Sequence, residues 1–419
     1  MLYNICDSIQ NKMMKEIETV KGFQDFLPPE SLKREAVKKI IEKWFKLYGF
    51  IPIETPLIEF DEVMRSDILP SEEDEAVSDR FKLQDRGGRN LGLRYEFTFQ
   101  LARIFKQNPN IKLPFKRYQI GEVFRDEPTT AKRFRQFTQC DIDIVGDSAI
   151  KADAECLSLF SEILKELKVD FEIQVNNRKL LQSVIESVQI HQIKNVMKEL
   201  DKKEKGGIDE LKINLKKYAS INQILTLLKL LEKDLDFFEK NAFQGVAELK
   251  ELIELSDNYN VKLKFNPFLT RGFGYYTGNV FEIVSPESKI SIAGGGRYDK
   301  IVGKYAGKEI PAVGISLGLE RITELAFINV EPIPKTLLIS ISQDIPTIKL
   351  AQKLRKSDIS CSIEFGKPSK ALEYANSLKI PNVIFIGEEE IGKKKFKLKN
   401  MSSGKENLLT EKQLINKLK

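Results

Sequence analysis

Four arginines set out the chemistry this chain could do: Arg125, Arg271 and Arg321, joined by one of the pair Arg133 and Arg135. Each falls where a strand is expected to end or to pass into a helix, beside glycine or aromatic residues. A guanidinium is planar, forked and permanently charged, which makes it the usual clamp for phosphoryl oxygens. Glu96, Glu127, Gln139 and Asp143 are interleaved with these arginines. A pocket holding both kinds of group suits a substrate that carries phosphates together with an ammonium.

Most of these residues must be positioned by the stretch from Tyr118 to Ile144. Two alternating apolar runs, 118–124 and 137–144, flank a polar segment that bears Arg125, Glu127, Arg133 and Arg135 and is interrupted by Pro128. This is the pattern of two antiparallel strands joined by a long basic loop. A merely solvated charged loop shows the same pattern, so the rest of the chain has to decide.

Upstream, residues 1–20 read as a short helical extension. Pro28-Pro29-Glu30-Ser31 opens a helix with Val37, Ile40, Ile41, Trp44 and Tyr48 at helical spacing, closed by Gly49. Phe50–Leu57, with its two prolines, reads as an edge strand. Residues 61–79 are acidic and irregular, Arg86-Gly87-Gly88-Arg89 has hairpin chemistry, and Gln100–Phe105 follows as a helix. Downstream come a helix at Lys151–Leu167 and a strand at Val169–Val175. Residues 178–262 lack proline and carry periodic apolar positions such as Ile221, Ile224, Leu225, Leu228 and Leu231, which predicts an inserted helical domain. Strands return at Thr277–Val284 and Ser288–Ala293 around a turn at Pro286. Gly294-Gly295-Gly296-Arg297 follows, and Ala312–Leu319 runs into a helix. Pro332 and Pro334 mark a linker, and from Lys335 strands and helices alternate as in an α/β unit. The expected division is a catalytic domain over residues 1–177 and 263–330, a helical insertion over 178–262, and a C-terminal domain over 331–419.

Composition narrows the classes. A chain of 419 residues is too long for one core. No apolar run approaches the roughly 18 residues of a membrane span, and the N-terminus lacks a basic start followed by an apolar block, so no membrane association and a cytoplasmic location are expected. The four cysteines are scattered without a C-x-x-C, which argues against a disulfide framework or zinc ribbon. His191 is the single histidine. That excludes H-E-x-x-H and multi-histidine metal centres, and its place in a helical stretch far from the arginines predicts a structural or surface role. The net charge of +6 is uneven: residues 335–419 hold 17 Lys+Arg against nine Asp+Glu, a surplus of eight, which leaves about −2 on the remainder. A basic module on a near-neutral body points to a polyanionic partner.

Three apparent motifs fail. Gly314-Ile315-Ser316-Leu317-Gly318 has the form of a serine-nucleophile elbow, but no histidine follows to take the proton. Gly307-Lys308-Glu309 resembles the end of a P-loop, but Val302 stands where its first glycine belongs. The triple glycine is not G-x-G-x-x-G.

The arginine set does match one family. Phe124-Arg125-Asp126-Glu127, with Arg135 and Phe137, resembles motif 2 of class II aminoacyl-tRNA synthetases. The first helix and the strand ending at Pro56 resemble motif 1, and Gly314–Arg321 (GISLGLER) resembles motif 3. Leu269–Gly278 (LTRGFGYYTG) and Ala293–Asp299 (AGGGRYD) resemble the two signatures specific to histidyl-tRNA synthetases. The resemblance covers residues 20–330, and the C-terminal unit is similar to the anticodon-binding domain of the same enzymes.

That resemblance implies an α+β fold: an antiparallel sheet with flanking helices, a helical insertion and a C-terminal α/β anticodon-binding domain. It implies a homodimer that activates histidine with ATP and Mg²⁺ and transfers it to tRNA(His); it names no protein ligand for a metal. By resemblance, Arg125 holds the α-phosphate, Glu127 meets the adenine amino edge and Phe137 stacks on the base. Arg321 covers the other face of the adenine and reaches the γ-phosphate, and Arg133 or Arg135 meets the outer phosphates. Glu96, Thr98 and Gln139 would hold the substrate ammonium, and Asp143 and Tyr276 its imidazole. Arg271 would neutralise charge between the substrate carboxylate and the α-phosphate, with Tyr275 and Tyr298 beside this pocket. Three departures stand out: Gly274 replaces an acid common in the family, Tyr95 and Phe97 replace a proline and a glycine, and Asp143 stands where many relatives have glutamate. The competing readings are a non-catalytic regulatory paralogue that binds histidine or tRNA, another class II synthetase, and a general RNA-binding protein.

Overall fold

The computed structural model describes residues 18–64, 79–130, 133–271, 274–286 and 290–419. Most of the expected N-terminal extension and most of the acidic loop lie outside the described residues. The chain divides into two compact units, Met1–Ile328 and Asn329–Lys419.

In chain order the first unit contains α1 (Glu30–Leu47), β1 (Ile51–Pro52), β2 (Ile58–Phe60), β3 (Lys82–Gln84), β4 (Asn90–Leu93), α2 (Thr98–Gln107), β5 (Phe115–Phe124), β6 (Gln136–Val145), α3 (Ile150–Glu166) and β7 (Glu172–Asn177). Helices α4 to α9 follow, between Arg178 and Asn258. Then come β8 (Leu263–Phe265), β9 (Asn279–Val284), β10 (Ser291–Arg297), β11 (Ala312–Gly318) and α10 (Leu319–Leu325). Eight of the strands form one sheet in the order β1-β5-β6-β11-β10-β9-β7-β8. The six central strands are antiparallel, while the outer pairs β1–β5 and β7–β8 are parallel. The sheet is therefore mixed at its edges and antiparallel where the site lies.

Strand periodicity separates the two faces of this sheet. On β6, Cys140, Ile142 and Ile144 enter a core built with Val37, Ile41 and Phe45 of α1 and with Leu157, Phe160 and Leu164 of α3. Gln139, Asp141 and Asp143 alternate with them and belong to the opposite face. The β5–β6 hairpin keeps unbroken register from Phe115↔Val145 to Phe124↔Gln136, so the alternation persists over ten residues of each strand.

Helices α4 to α9 share the core of the sheet. Leu180, Val184, Val196, Leu227, Leu249 and Leu252 join the same buried cluster as the strands.

Some elements differ from the sequence pattern. Phe50–Leu57 is not one strand: only Ile51 and Pro52 pair with β5, after which the chain leaves the sheet and resumes at β2. The proline-bearing segment supplies too few N–H donors to continue the ladder. The triple glycine lies within β10 rather than after a strand, and α2 is longer than Gln100–Phe105. His191 is exposed in a bend between two helices, not inside one.

The second unit contains β12 (Thr336–Ser340), α11 (Asp344–Lys356), β13 (Cys361–Glu364), α12 (Pro368–Ser377), β14 (Asn382–Ile386), α13 (Glu388–Lys393), β15 (Lys395–Asn400), β16 (Glu406–Thr410) and α14 (Glu411–Leu418). Its sheet order is β13-β12-β14-β15-β16. The first three strands are parallel, as the α/β alternation predicts, and a terminal antiparallel hairpin extends them. Among the described residues, no helix is long and apolar enough to cross a membrane.

A buried ion pair ties α3 to β10. Arg297 donates to the carbonyls of Asp147 at 2.9 Å and Ala149 at 3.0 Å, and to the Asp153 carboxylate. Burial lifts the Asp153 carboxyl to about 6 against the opposing pull of Arg297, so it remains ionised at neutral pH. Breaking such a pair leaves one charge without compensation, and Asp153→Ala is expected to cost roughly 3–5 kcal/mol. Urea denaturation checks this: replacing both partners, Asp153→Leu with Arg297→Met, should cost clearly less than Asp153→Ala, and an equal or greater loss would contradict the account.

Candidate active site

The free face of the sheet opens into a cavity of about 520 Å³, within the range of small-molecule sites. Strands β6, β10 and β11 floor it, and the ends of the β5–β6 hairpin and the segment before β9 wall it. Of the fourteen residues proposed for the site, Arg125, Glu127, Arg133, Phe137, Arg321, Glu96, Thr98, Gln139, Asp143, Arg271, Tyr275, Tyr276 and Tyr298 line it. Arg135 does not. Its guanidinium lies 3.2 Å from Asp126 and donates to the carbonyl of Glu127 at 3.1 Å, so it holds the hairpin loop in shape. Of the two loop arginines that the sequence leaves open, Arg133 is the one that lines the cavity.

One side of the cavity is cationic. The Arg125 guanidinium lies 4.4 Å from the ring centre of Tyr95 and 5.0 Å from that of Phe137, and two aromatic faces hold it in place. Arg133 pairs with Glu127, whose other oxygen accepts the Tyr95 hydroxyl at 3.2 Å. Arg321, at the start of α10, donates to the carbonyl of Ser291 at 2.8 Å. Its pKa is lowered by burial and by the like charges of Arg125 and Arg133, so the four arginines are crowded enough to favour an incoming anion. Arg271 sits in the left-handed backbone region (φ 61) and bonds Glu282 at 2.9 Å. Burial opposes its charge, but Glu282 and Tyr276 outweigh that and raise its pKa. A side chain at Gly294 would run into the Arg271 guanidinium, which explains a glycine inside β10.

The other side is acidic and aromatic. Glu96 precedes α2 and accepts the Phe99 N–H at 2.8 Å, which fixes the carboxylate at the helix N-terminus. The Tyr275 hydroxyl reaches its second oxygen at 3.4 Å. Burial raises the Glu96 carboxyl, opposed by hydrogen bonds from Thr98 and Phe99. Asp143 is held by the Tyr298 hydroxyl and by Arg117, a guanidinium with 0% exposure. Burial lifts Asp143 to about 6, with Arg117 pulling it down. The facing β11 residue, Gly314, leaves room where a Cβ would strike the Asp143 carboxylate. Tyr276 lines the same side, its ring in tilted contact with Tyr275 at 4.8 Å between centres.

Asp141 lines the cavity beside Gln139 and Asp143, although sequence reasoning passed over it. Period-two alternation along Gln139, Asp141 and Asp143 was the signal that could have found it. Arg117, Tyr95, Ser316 and Glu320 were also missed, because their roles depend on partners distant in the chain. Glu320 accepts the Thr138 N–H at 3.1 Å and Arg34 of α1 at 2.9 Å, locking motif-bearing elements together. Among the described residues no group of three or more His, Cys, Asp and Glu side chains gathers to hold a metal ion.

This arrangement can hold an anionic, phosphorylated group against a cationic one, within one water-excluding floor. Comparison with known proteins agrees. Residues 22–322 match the family model of histidyl-tRNA synthetase, and residues 337–419 match an anticodon-binding domain. A histidine–tRNA ligase of Bacillus cereus is 39% identical, with 93% of this chain and 94% of that protein covered. The crystal structure of histidyl-tRNA synthetase from Nostoc sp. PCC 7120 superposes with a TM-score of 0.83 at 29% identity, covering 96% of this chain and 99% of that one. A structure from Bacillus halodurans described as an ATP phosphoribosyltransferase regulatory subunit/histidyl-tRNA synthetase shares the fold, with a TM-score of 0.73 at 21% identity, covering 88% of this chain and 98% of that one. The chain belongs to the histidyl-tRNA synthetase family.

Proposed function

We propose that the chain is a histidine–tRNA ligase that uses ATP, and that the cavity on the sheet is where both substrates meet. The observation that carries this reading is the division of one cavity into an arginine-rich side and a carboxylate–tyrosine side. The substrate carboxylate attacks the α-phosphorus of ATP and pyrophosphate leaves; the terminal 3′-hydroxyl of tRNA then attacks the acyl carbon and AMP leaves. No protein nucleophile is required. Catalysis is orientation and charge stabilisation.

In this reading Arg125 holds the α-phosphate and Arg321 the γ-phosphate and one adenine face, while Phe137 offers its ring to the other. Glu127 meets the adenine amino edge and Arg133 the outer phosphates, so ATP takes the place of each member's partner in the Glu127–Arg133 pair. Arg271 neutralises charge between the carboxylate and the α-phosphate. Glu96, Thr98 and Gln139 receive the ammonium, and Asp143, Tyr276 and their tyrosine neighbours Tyr275 and Tyr298 shape the imidazole site. An amino acid unable to bond this site leaves its buried groups unpaired, which is a strong basis for rejection. Mg²⁺ would keep several waters and bind through the phosphates plus one or two carboxylates. The ion would supply charge neutralisation on the leaving pyrophosphate.

The basic C-terminal unit would read the anticodon, and helices α4 to α9 would brace the acceptor arm. Exposed Ile51, Leu57, Ile58, Phe60 and Leu83 on and near the motif 1 region support a homodimer, and membership of a family of translation enzymes supports a cytoplasmic location. A regulatory paralogue is disfavoured because thirteen of the fourteen proposed site residues line one cavity and an anticodon-binding match accompanies them.

Amino-acid-dependent ATP–pyrophosphate exchange tests the activity: histidine should support it, and exchange with proline or with none of the twenty amino acids would overturn the reading. Arg271→Ala should abolish exchange while circular dichroism stays native, and wild-type rates would refute its role. His191→Ala should exchange at the wild-type rate. Losing a charge-assisted hydrogen bond should raise KM for ATP about tenfold or more in Arg133→Ala. The Arg135→Ala change, which only loosens the loop, should raise that KM less, and the reverse order would show that the wrong loop arginine was chosen.

A further inference from the structure

Gln139 on β6 lies next to Asp141 on the same face, and Ser316 of β11 is the register partner of Asp141. The three side chains form a short relay. The Ser316 hydroxyl donates to Asp141 Oδ1. Gln139 Nε2 donates to Ser316 Oγ at 2.6 Å and approaches the same Asp141 oxygen at 3.5 Å.

A serine hydroxyl has one proton and two lone pairs. Here the proton goes to Asp141, so Ser316 can offer Gln139 only a lone pair. The NH₂ end of the Gln139 amide must therefore face Ser316, and its oxygen must turn away. Among the described residues that oxygen is buried without a partner, on a side chain only 8% exposed that lines the cavity. A buried acceptor without a donor is unfavourable until a ligand supplies one.

We infer that Ser316 and Asp141 are positioning residues that fix the polarity of the Gln139 amide and present its oxygen as an acceptor for the α-ammonium of the amino acid. The inference rests on the reading of Gln139 as an ammonium ligand and goes beyond it by assigning what orients that ligand. Burial lifts the Asp141 carboxyl to about 8, with Arg117 opposing. The relay tolerates either protonation state, because a proton on Oδ2 leaves Oδ1 as the acceptor. Without Asp141, the Ser316 proton is free to turn to the amide oxygen. The amide can then flip and present its NH₂ group, a donor, to a cation.

Two ligands separate orientation of this contact from general disruption of the pocket. Histidinol keeps the ammonium; 3-(imidazol-4-yl)propionate lacks it. Titration calorimetry on the full chain should show Ser316→Ala and Asp141→Ala binding histidinol about tenfold more weakly or worse, as expected for a mispaired charged contact. Both should bind the propionate about as the wild type does. Asp141→Asn should bind histidinol nearly as well as the wild type, because its amide oxygen still accepts the serine proton. Equal weakening of both ligands, undiminished histidinol binding in Ser316→Ala, or a loss in Asp141→Asn matching that in Asp141→Ala would overturn the relay. If Asp141→Ala does not fold, Ser316→Ala, which removes only a hydroxyl, decides. Gln139→Ala tests the underlying reading separately: unchanged histidinol affinity there removes Gln139 as the ammonium ligand, whereas a loss there with none in Ser316→Ala removes only the relay.

Discussion

Asp143 can stand on a buried sheet face only because Arg117 answers its charge from the neighbouring strand. The two are register partners on β6 and β5, and the guanidinium is wholly shielded from water. Removing either charge would strand the other in a medium that solvates ions poorly. The Tyr298 hydroxyl completes the support from the strand-to-loop junction after β10. The acidic half of the cavity is thus held by contacts from three separate segments, and its geometry exists only when the antiparallel register of β5, β6 and β11 is correct. A one-residue slip would send Gln139, Asp141 and Asp143 into the apolar core and Cys140, Ile142 and Ile144 into the cavity.

The cationic half is built differently. Arg125 and Arg133 come from the loop end of the hairpin, Arg271 from the segment before β9, and Arg321 from the first turn of α10. They gather because the strands that carry them are adjacent in the order β6-β11-β10-β9, though distant in the chain. Several like charges confined together raise one another's free energy, and that repulsion is relieved when an anion arrives.

Much of this was legible in residue type and spacing. The long hairpin, the first helix, the C-terminal α/β alternation and the grouping of Arg125, Arg133, Arg271 and Arg321 all rest on local pattern or on motif order. What was not legible depends on long-range pairing. Arg133 and Arg135 are chemically equivalent in a linear reading. They are told apart only by how the loop folds back on Asp126 and on the carbonyl of Glu127. Arg117 looks like a surface residue on an alternating strand until the register sets it against Asp143. Gly294 falls after an expected strand and Gly314 in the form of a nucleophile elbow; within their strands they are clearances for Arg271 and Asp143. The short β1 shows that a run of β-favouring residues does not make a strand where prolines withhold the donors.

The common core of the sheet and helices α4 to α9 has a thermodynamic consequence. Two bodies with separate cores can melt separately, whereas elements that bury the same side chains lose their packing together. Leu180, Val184, Leu227 and Leu249 seal the same interior as Ile173 of β7 and Phe281 and Ile283 of β9, so the helices cannot loosen without exposing the back of the strands beside the cavity floor. A macromolecule that grips those helices therefore leans on the foundations of the active site, and small-molecule binding in the cavity adds cohesion to a surface far from it in sequence.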